Sequence, residues 1–159
     1  MAALTSDRNT EYSLGDLLSM PVAAGSRIFA GALVCSDAAG YAVRAADSAG
    51  LIFEGVATAQ ADNRLGAAGD ARVVVRRRGR YRLDCASLLD QSALGAQVFA
   101  VDDHTVAAAG GVQHGVAVGG IDKVEAAHEC WVSIDAAVLA GKAWSATTTT
   151  AGATTTPGG

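Results

Sequence analysis

The chain sustains no helical period. From residue 21 to about 137 its apolar residues come in short runs rich in Val, Ile and Ala, and Gly, Asp or Asn interrupts them repeatedly. An amphipathic helix needs apolar positions spaced by three and four over about ten or more residues. Short β-branched runs bounded by turn formers read instead as strands. Strands are expected over residues 27–35, 41–45, 51–59, 71–84, 96–101, 105–108, 115–121 and 130–134. In the longest of these, Gly79 should bend or bulge the backbone. Turns are expected at Ser36-Asp37-Ala38-Ala39-Gly40 and at Asp102-Asp103-His104, where short polar side chains and Gly favour reversal. Residues 86–94 read as one short helical turn.

Within this pattern lies a repeat. Gly31-Ala32-Leu33-Val34, Val43-Arg44-Ala45-Ala46 and Gly55-Val56-Ala57 are echoed by Gly95-Ala96-Gln97-Val98, Val106-Ala107-Ala108-Ala109 and Gly115-Val116-Ala117. Each copy is a hairpin followed by a third strand. Two such units could pair their edges and close one small barrel or sandwich, which would remove exposed strand edges. The expected fold is therefore all-β, a small barrel or sandwich of two related hairpin units. An extended N-terminal arm over residues 1–20 and a Thr/Ala/Gly-rich tail over 138–159 flank a β domain over 21–137.

Composition narrows the function. Of the 159 residues, 50% are hydrophobic but only 5% aromatic, and the formal net charge is -4. An acidic balance disfavours nucleic acid as a partner. No run reaches the roughly 18 apolar residues of a membrane span, and the first twenty residues do not read as a signal peptide. Neither a membrane nor nucleic acid is expected as partner. Cys35, Cys85 and Cys130 are odd in number and form no CxxC pair. They read as buried small hydrophobes in a protein made in a reducing cytoplasm, not as a disulfide framework or zinc site.

Catalytic sets are missing from the pattern. His104, His114 and His128 lack the spacing of metal ligands, and no nucleophile motif accompanies them. We expect no enzyme activity, no cofactor and no metal. The strongest charge feature is Arg76-Arg77-Arg78-Gly79-Arg80-Tyr81-Arg82. On an unbroken strand Arg76, Arg78, Arg80 and Arg82 would share a face. That strip would suit an acidic protein surface, or serve only as a solvated face that blocks edge pairing. In the arm, Tyr12, Leu14, Leu17, Leu18 and Met20 are spaced apolar points, fit for docking on a neighbour or simply part of a frayed terminus. Asp16 to Met20 could make one helical turn before Pro21 stops it.

Asn9-Thr10-Glu11, Gly15-Asp16-Leu17-Leu18-Ser19-Met20-Pro21-Val22, Ile28-Phe29-Ala30-Gly31-Ala32-Leu33-Val34, Gly40-Tyr41-Ala42-Val43, Gly55-Val56-Ala57, Val101-Asp102-Asp103-His104 and Trp131-Val132 follow one another in an order that resembles the capsid cement (head decoration) proteins of tailed bacteriophages. The resemblance spans residues 9–135. It implies a structural virion protein on the outer surface of the head, with the major capsid protein as partner and a homotrimer as the assembled form. Candidate contact residues are Tyr12, Leu14, Leu17 and Leu18, with Arg76, Arg78 and Arg80 second. The denser arginine strip and the Thr-rich tail depart from the family pattern. The alternative reading is another virion surface β module, tail-associated or glycan-binding.

Overall fold

The computed structural model describes residue 3 and residues 5–140, so the expected tail lies outside the described residues from 141 onward. In chain order the elements are β1 (Leu17–Pro21), β2 (Ser26–Ile28), β3 (Leu33–Ser36), β4 (Ala42–Arg44), β5 (Ile52–Ala57), β6 (Ala61–Asn63), β7 (Arg72–Arg76), β8 (Arg80–Cys85), β9 (Gln97–Ala100), β10 (Thr105–Ala107), β11 (Ala117–Ala126), β12 (Glu129–Ser133) and the short helix α1 (Asp135–Ala140). The fold is all-β, as the short alternating runs require. No helix among the described residues is long and apolar enough to cross a membrane.

Ten of the twelve strands described form two five-stranded sheets of the same design, one after the other along the chain. The second is a closed barrel, β10-β8-β12-β11-β9. The first has the order β1-β7-β5-β3-β4, and its outer strands meet at a single parallel bridge, Val22 to Ala42. That bridge is the counterpart of the parallel Val106–Cys85 pairing that closes the second barrel. The hairpin units expected from the repeat are therefore present, but each curls on itself, the second as a closed barrel and the first as a barrel-like sheet joined at that one bridge. They do not pair edges to make one. Closing each unit on itself satisfies its edges locally and leaves the units free to pack face to face.

The repeat runs much further than the hairpins. In the first unit Leu33, Val34 and Cys35 pair with Val56, Gly55 and Phe53, with a bulge between the last two pairs. In the second, Gln97, Val98 and Phe99 pair with Gly120, Gly119 and Ala117, with the bulge at the same place. The counterpart of Gly55 is thus Gly119, not the Gly115 that the shared Gly-Val-Ala triplet suggests. The hydrogen bonds agree: Gly31 N–H to Ala57 C=O (2.8 Å) is matched by Gly95 to Ile121 (2.8 Å), and Arg77 to Asp16 (2.9 Å) by Ile134 to Gly79 (3.1 Å). β1 pairs with β7 as β8 pairs with β12, Leu17 opposite Arg76 and Arg80 opposite Ser133. The structural repeat runs from Asp16 to Ile134.

One stretch belongs to the first unit alone. β2, between β1 and β3, and β6, in the longer connection between β5 and β7, form a separate antiparallel pair. Buried Asn63 anchors it, its side-chain amide donating to the carbonyls of Val22 (3.1 Å), Ala23 (3.2 Å) and Ala67 (2.8 Å). A buried amide holding three carbonyls over-determines the loop that follows.

Val22, Ile28, Val34, Val73 and Val75 fill the first barrel. The second barrel's core, around Val98, Val106, Val118 and Val132, continues outward to take in Leu33, Cys35, Phe53 and Val56 from the first. Those four lie on the outer face of β3 and β5, which the second unit covers. Their counterparts on β9 and β11 are Gln97, Phe99, Ala117 and Gly120, a smaller and more polar set. All three cysteines are buried and free, as expected.

Polar contacts fasten the units. Leu33 N–H donates to Asp103 C=O at 2.7 Å. The Asp47 carboxylate accepts from the backbone N–H groups of Gln113 and His114, both at 2.7 Å. Between β7 and β8 the chain turns at Gly79, whose φ is 114° and whose N–H donates to the Asp135 carboxylate at 2.7 Å.

Candidate functional site

The expected strand over 71–84 is two strands in two sheets, and this changes the arginine strip. β7 ends at Arg76 and β8 begins at Arg80. Arg76 lies on the outer face of the first barrel, Arg80 and Arg82 on that of the second. They share no continuous face. Most of the strip is also neutralised within the chain. Arg77 pairs with Glu54 (3.4 Å), Arg78 with Asp16 (3.4 Å), Arg80 with Asp122 (2.5 Å) and Arg82 with Glu129 (2.6 Å). The last is a two-pronged contact, with the second bond at 2.7 Å, the geometry a planar guanidinium favours. Arg76 makes no ion pair among the described residues, nor does Arg72, which donates instead to Ser19 Oγ (3.0 Å) and Ser19 C=O (2.9 Å).

The arm needs a second correction. Residues 17–21 form no helical turn but the strand β1, paired along its whole length with β7. The core-facing positions of β1 take Leu18 and Met20: Leu18 is half-buried against the first core, and Met20 is buried. Leu18 therefore supports the fold, and the sheet begins at Leu17, inside the stretch expected to be arm. The other three anchors point outward. Tyr12 is 86% exposed, Leu14 71% and Leu17 54%, and every described residue before Leu18 is exposed. The sequence did not single out Val74, the exposed centre of β7 at 37%. Its alternation with buried Val73 and Val75 was the available signal.

The histidines assemble no catalytic set. Asp102, Asp103 and His104 are the one trio of potential metal ligands close together among the described residues, and they form the β9–β10 turn. Asp102 Oδ1 accepts from the backbone N–H groups of His104 (2.9 Å) and Thr105 (2.8 Å), as a turn carboxylate does. The side-chain contact to Asp103, at 3.0 Å, raises the His104 pKa above its ordinary value, with the Asp102 charge adding to it. His114 Nδ1 lies 3.0 Å from Asp47 C=O and His128 Nδ1 3.0 Å from Cys85 C=O, both roles that hold loops. Burial pushes the Cys35 thiol up to about 12 and, with the neighbouring Cys85 second, the Cys130 thiol up to about 11. Such thiols are poor nucleophiles at neutral pH.

No family model matches the sequence, and no curated protein matches it. Among solved structures the chain is similar to the N base of head fiber gp8.5 of bacteriophage phi29, with 16% identity and a TM-score of 0.43, over 74% of this chain and 93% of that one.

Proposed function

We propose that this is a structural protein of a tailed bacteriophage virion that binds the outer surface of the head and stabilises the assembled shell. The observation that carries the reading is the arm. Tyr12 and Leu14 stand exposed on a stretch that adds nothing to either core, and Leu17 is exposed where that stretch enters β1; exposed apolar surface of this kind gains about 25 cal/mol per Å² when a partner covers it. The ordered likeness of residues 9–135 to decoration proteins supplies the partner, the major capsid protein. Turn and loop roles for the three histidines and burial of the three cysteines fit a protein without catalysis or cofactor. A protein that binds the assembled lattice better than its free subunits stabilises the lattice by mass action, and trimerisation would add effective concentration at each arm.

Cosedimentation of the full chain with undecorated heads, before and after shell expansion, tests this. Saturable binding to expanded heads is the expected result. Absence of binding to either form would remove the head from the proposal and favour the tail-associated or glycan-binding alternative.

A further inference from the structure

The chain carries two copies of one barrel, so each surface position has a counterpart that shows what the fold alone requires. The outer face of β8 and β12 is a closed set of charges. Arg80 pairs with Asp122 and Arg82 with Glu129, and half-buried Trp131 donates its indole N–H to Glu125 at 3.1 Å. The counterpart face, on β1 and β7, has Leu17 in place of Arg80 and Val74 in place of Trp131, by the matched registers. Both are exposed. Beside them stand Arg72 and Arg76, which have no carboxylate partner among the described residues, although four other arginines of the same segment do.

The second barrel shows that this sheet face folds well when charged and internally paired. The first keeps the same face apolar at its centre and unpaired in charge at its rim. An exposed apolar strip between cations is costly in solubility and has no use within the chain. Exposed Tyr12 and Leu14 precede it in the sequence. We infer that the outer face of β1 and β7, centred on Leu17 and Val74 and rimmed by Arg72 and Arg76, is the surface that seats on the phage shell, against an apolar strip flanked by carboxylates. This rests on the head-binding reading above and assigns its contact face. It leaves the paired Arg78 and Arg80 outside the contact. The complementary charge follows from the two unpaired arginines, whereas Arg80 and Arg82 of the second barrel already hold carboxylates within the chain.

Cosedimentation with undecorated expanded heads, run across a salt series, tests it. The unaltered chain should bind saturably and weaken as salt rises. The double variant Leu17→Thr with Val74→Thr places strand-favouring, β-branched residues on an exposed face and should melt as the unaltered chain does, yet bind at least about tenfold more weakly. Arg72→Gln with Arg76→Gln should flatten the salt dependence, while Arg80→Gln should leave binding unchanged. If the Leu17/Val74 variant saturates heads at the unaltered concentration, the face is wrong although the head-binding reading stands. A salt dependence unmoved by the Arg72/Arg76 variant overturns the acidic rim. Failure of the unaltered chain to bind overturns the face together with the reading it rests on.

Discussion

Gly55 and Gly119 occupy the same place in the two barrels. Each follows the bulge of its third strand, and a Cβ added to either would overlap a carbonyl oxygen of the next strand, Arg76 for Gly55 and Ser133 for Gly119. A side chain is excluded at both because the neighbouring backbone runs directly against the glycine. Gly55 has in addition a φ of 144°, which L residues rarely adopt.

Gly55→Ala and Gly119→Ala should therefore each destabilise the protein by about 2–4 kcal/mol. Gly110→Ala, where nothing lies within 4 Å of the added carbon, should be close to neutral. Thermal melts of the three variants check this. Equal melting temperatures would mean that the close approach is relieved at no cost.

Asp47→Ala should loosen the two barrels from each other. The side chain is 21% exposed and accepts two backbone N–H groups from the other unit, so the expected cost is about 1–2 kcal/mol after allowing for solvent. Burial on its own would raise the carboxyl pKa, but the Gln113 and His114 N–H groups and the His114 side chain more than offset it, and the net shift is downward. A lowered folded pKa stabilises fully above the unfolded value of 3.8 and is lost as pH falls through the folded value. Melts between pH 7 and pH 3 should show the difference between wild type and Asp47→Ala holding to pH 5 and shrinking below about pH 4. A difference that shrinks between pH 7 and 5 would exclude Asp47 as the titrating group.

Asn63→Ala should cost about 1–2 kcal/mol, because it removes the side-chain donor shared by the carbonyls of Val22, Ala23 and Ala67, each of which keeps one backbone N–H, from Gly69, Ser26 and Asp70. The loss should fall first on the β2–β6 pair. Hydrogen exchange should therefore speed up across residues 26–28 and 61–63 before it does in β9 or β10. Uniform acceleration would place Asn63 in the global core instead.

The thiols should be silent in the native state. Cys35, Cys85 and Cys130 are buried, and each has a raised pKa, to about 12 for Cys35 and about 11 for Cys130. An aromatic disulfide reagent at pH 8 should label none of them within minutes and all three in denaturant. Prompt labelling of a native cysteine would show that its barrel opens on that timescale.

The sequence makes the hairpins visible because Gly31-Ala32 and Gly95-Ala96 keep their identities where a turn needs them. It hides the rest of the repeat. β1 reads LLSMP and β8 reads RYRLDC, so their shared role lies in inward alternation and not in residue identity. The misplaced third block has the same origin: Gly115-Val116-Ala117 copies the letters of Gly55-Val56-Ala57, but only Gly119 meets a carbonyl as Gly55 does. Alternation across Arg76 to Arg82 suggests one face only if the strand is continuous, and Gly79 breaks it at a positive φ. In the arm, Leu17 and Leu18 look alike, and only the pairing with β7 separates the exposed one from the one that packs inward.

The faces of β3 and β9 bear on how such a chain could grow. Leu33, Cys35, Phe53 and Val56 form an adhesive end that accepts a following unit, whereas Gln97, Phe99, Ala117 and Gly120 form a worn one. The two faces therefore differ in a handful of side chains and not in the backbone that carries them. Gln97→Leu with Gly120→Val would be expected to give the second barrel the adhesive face of the first.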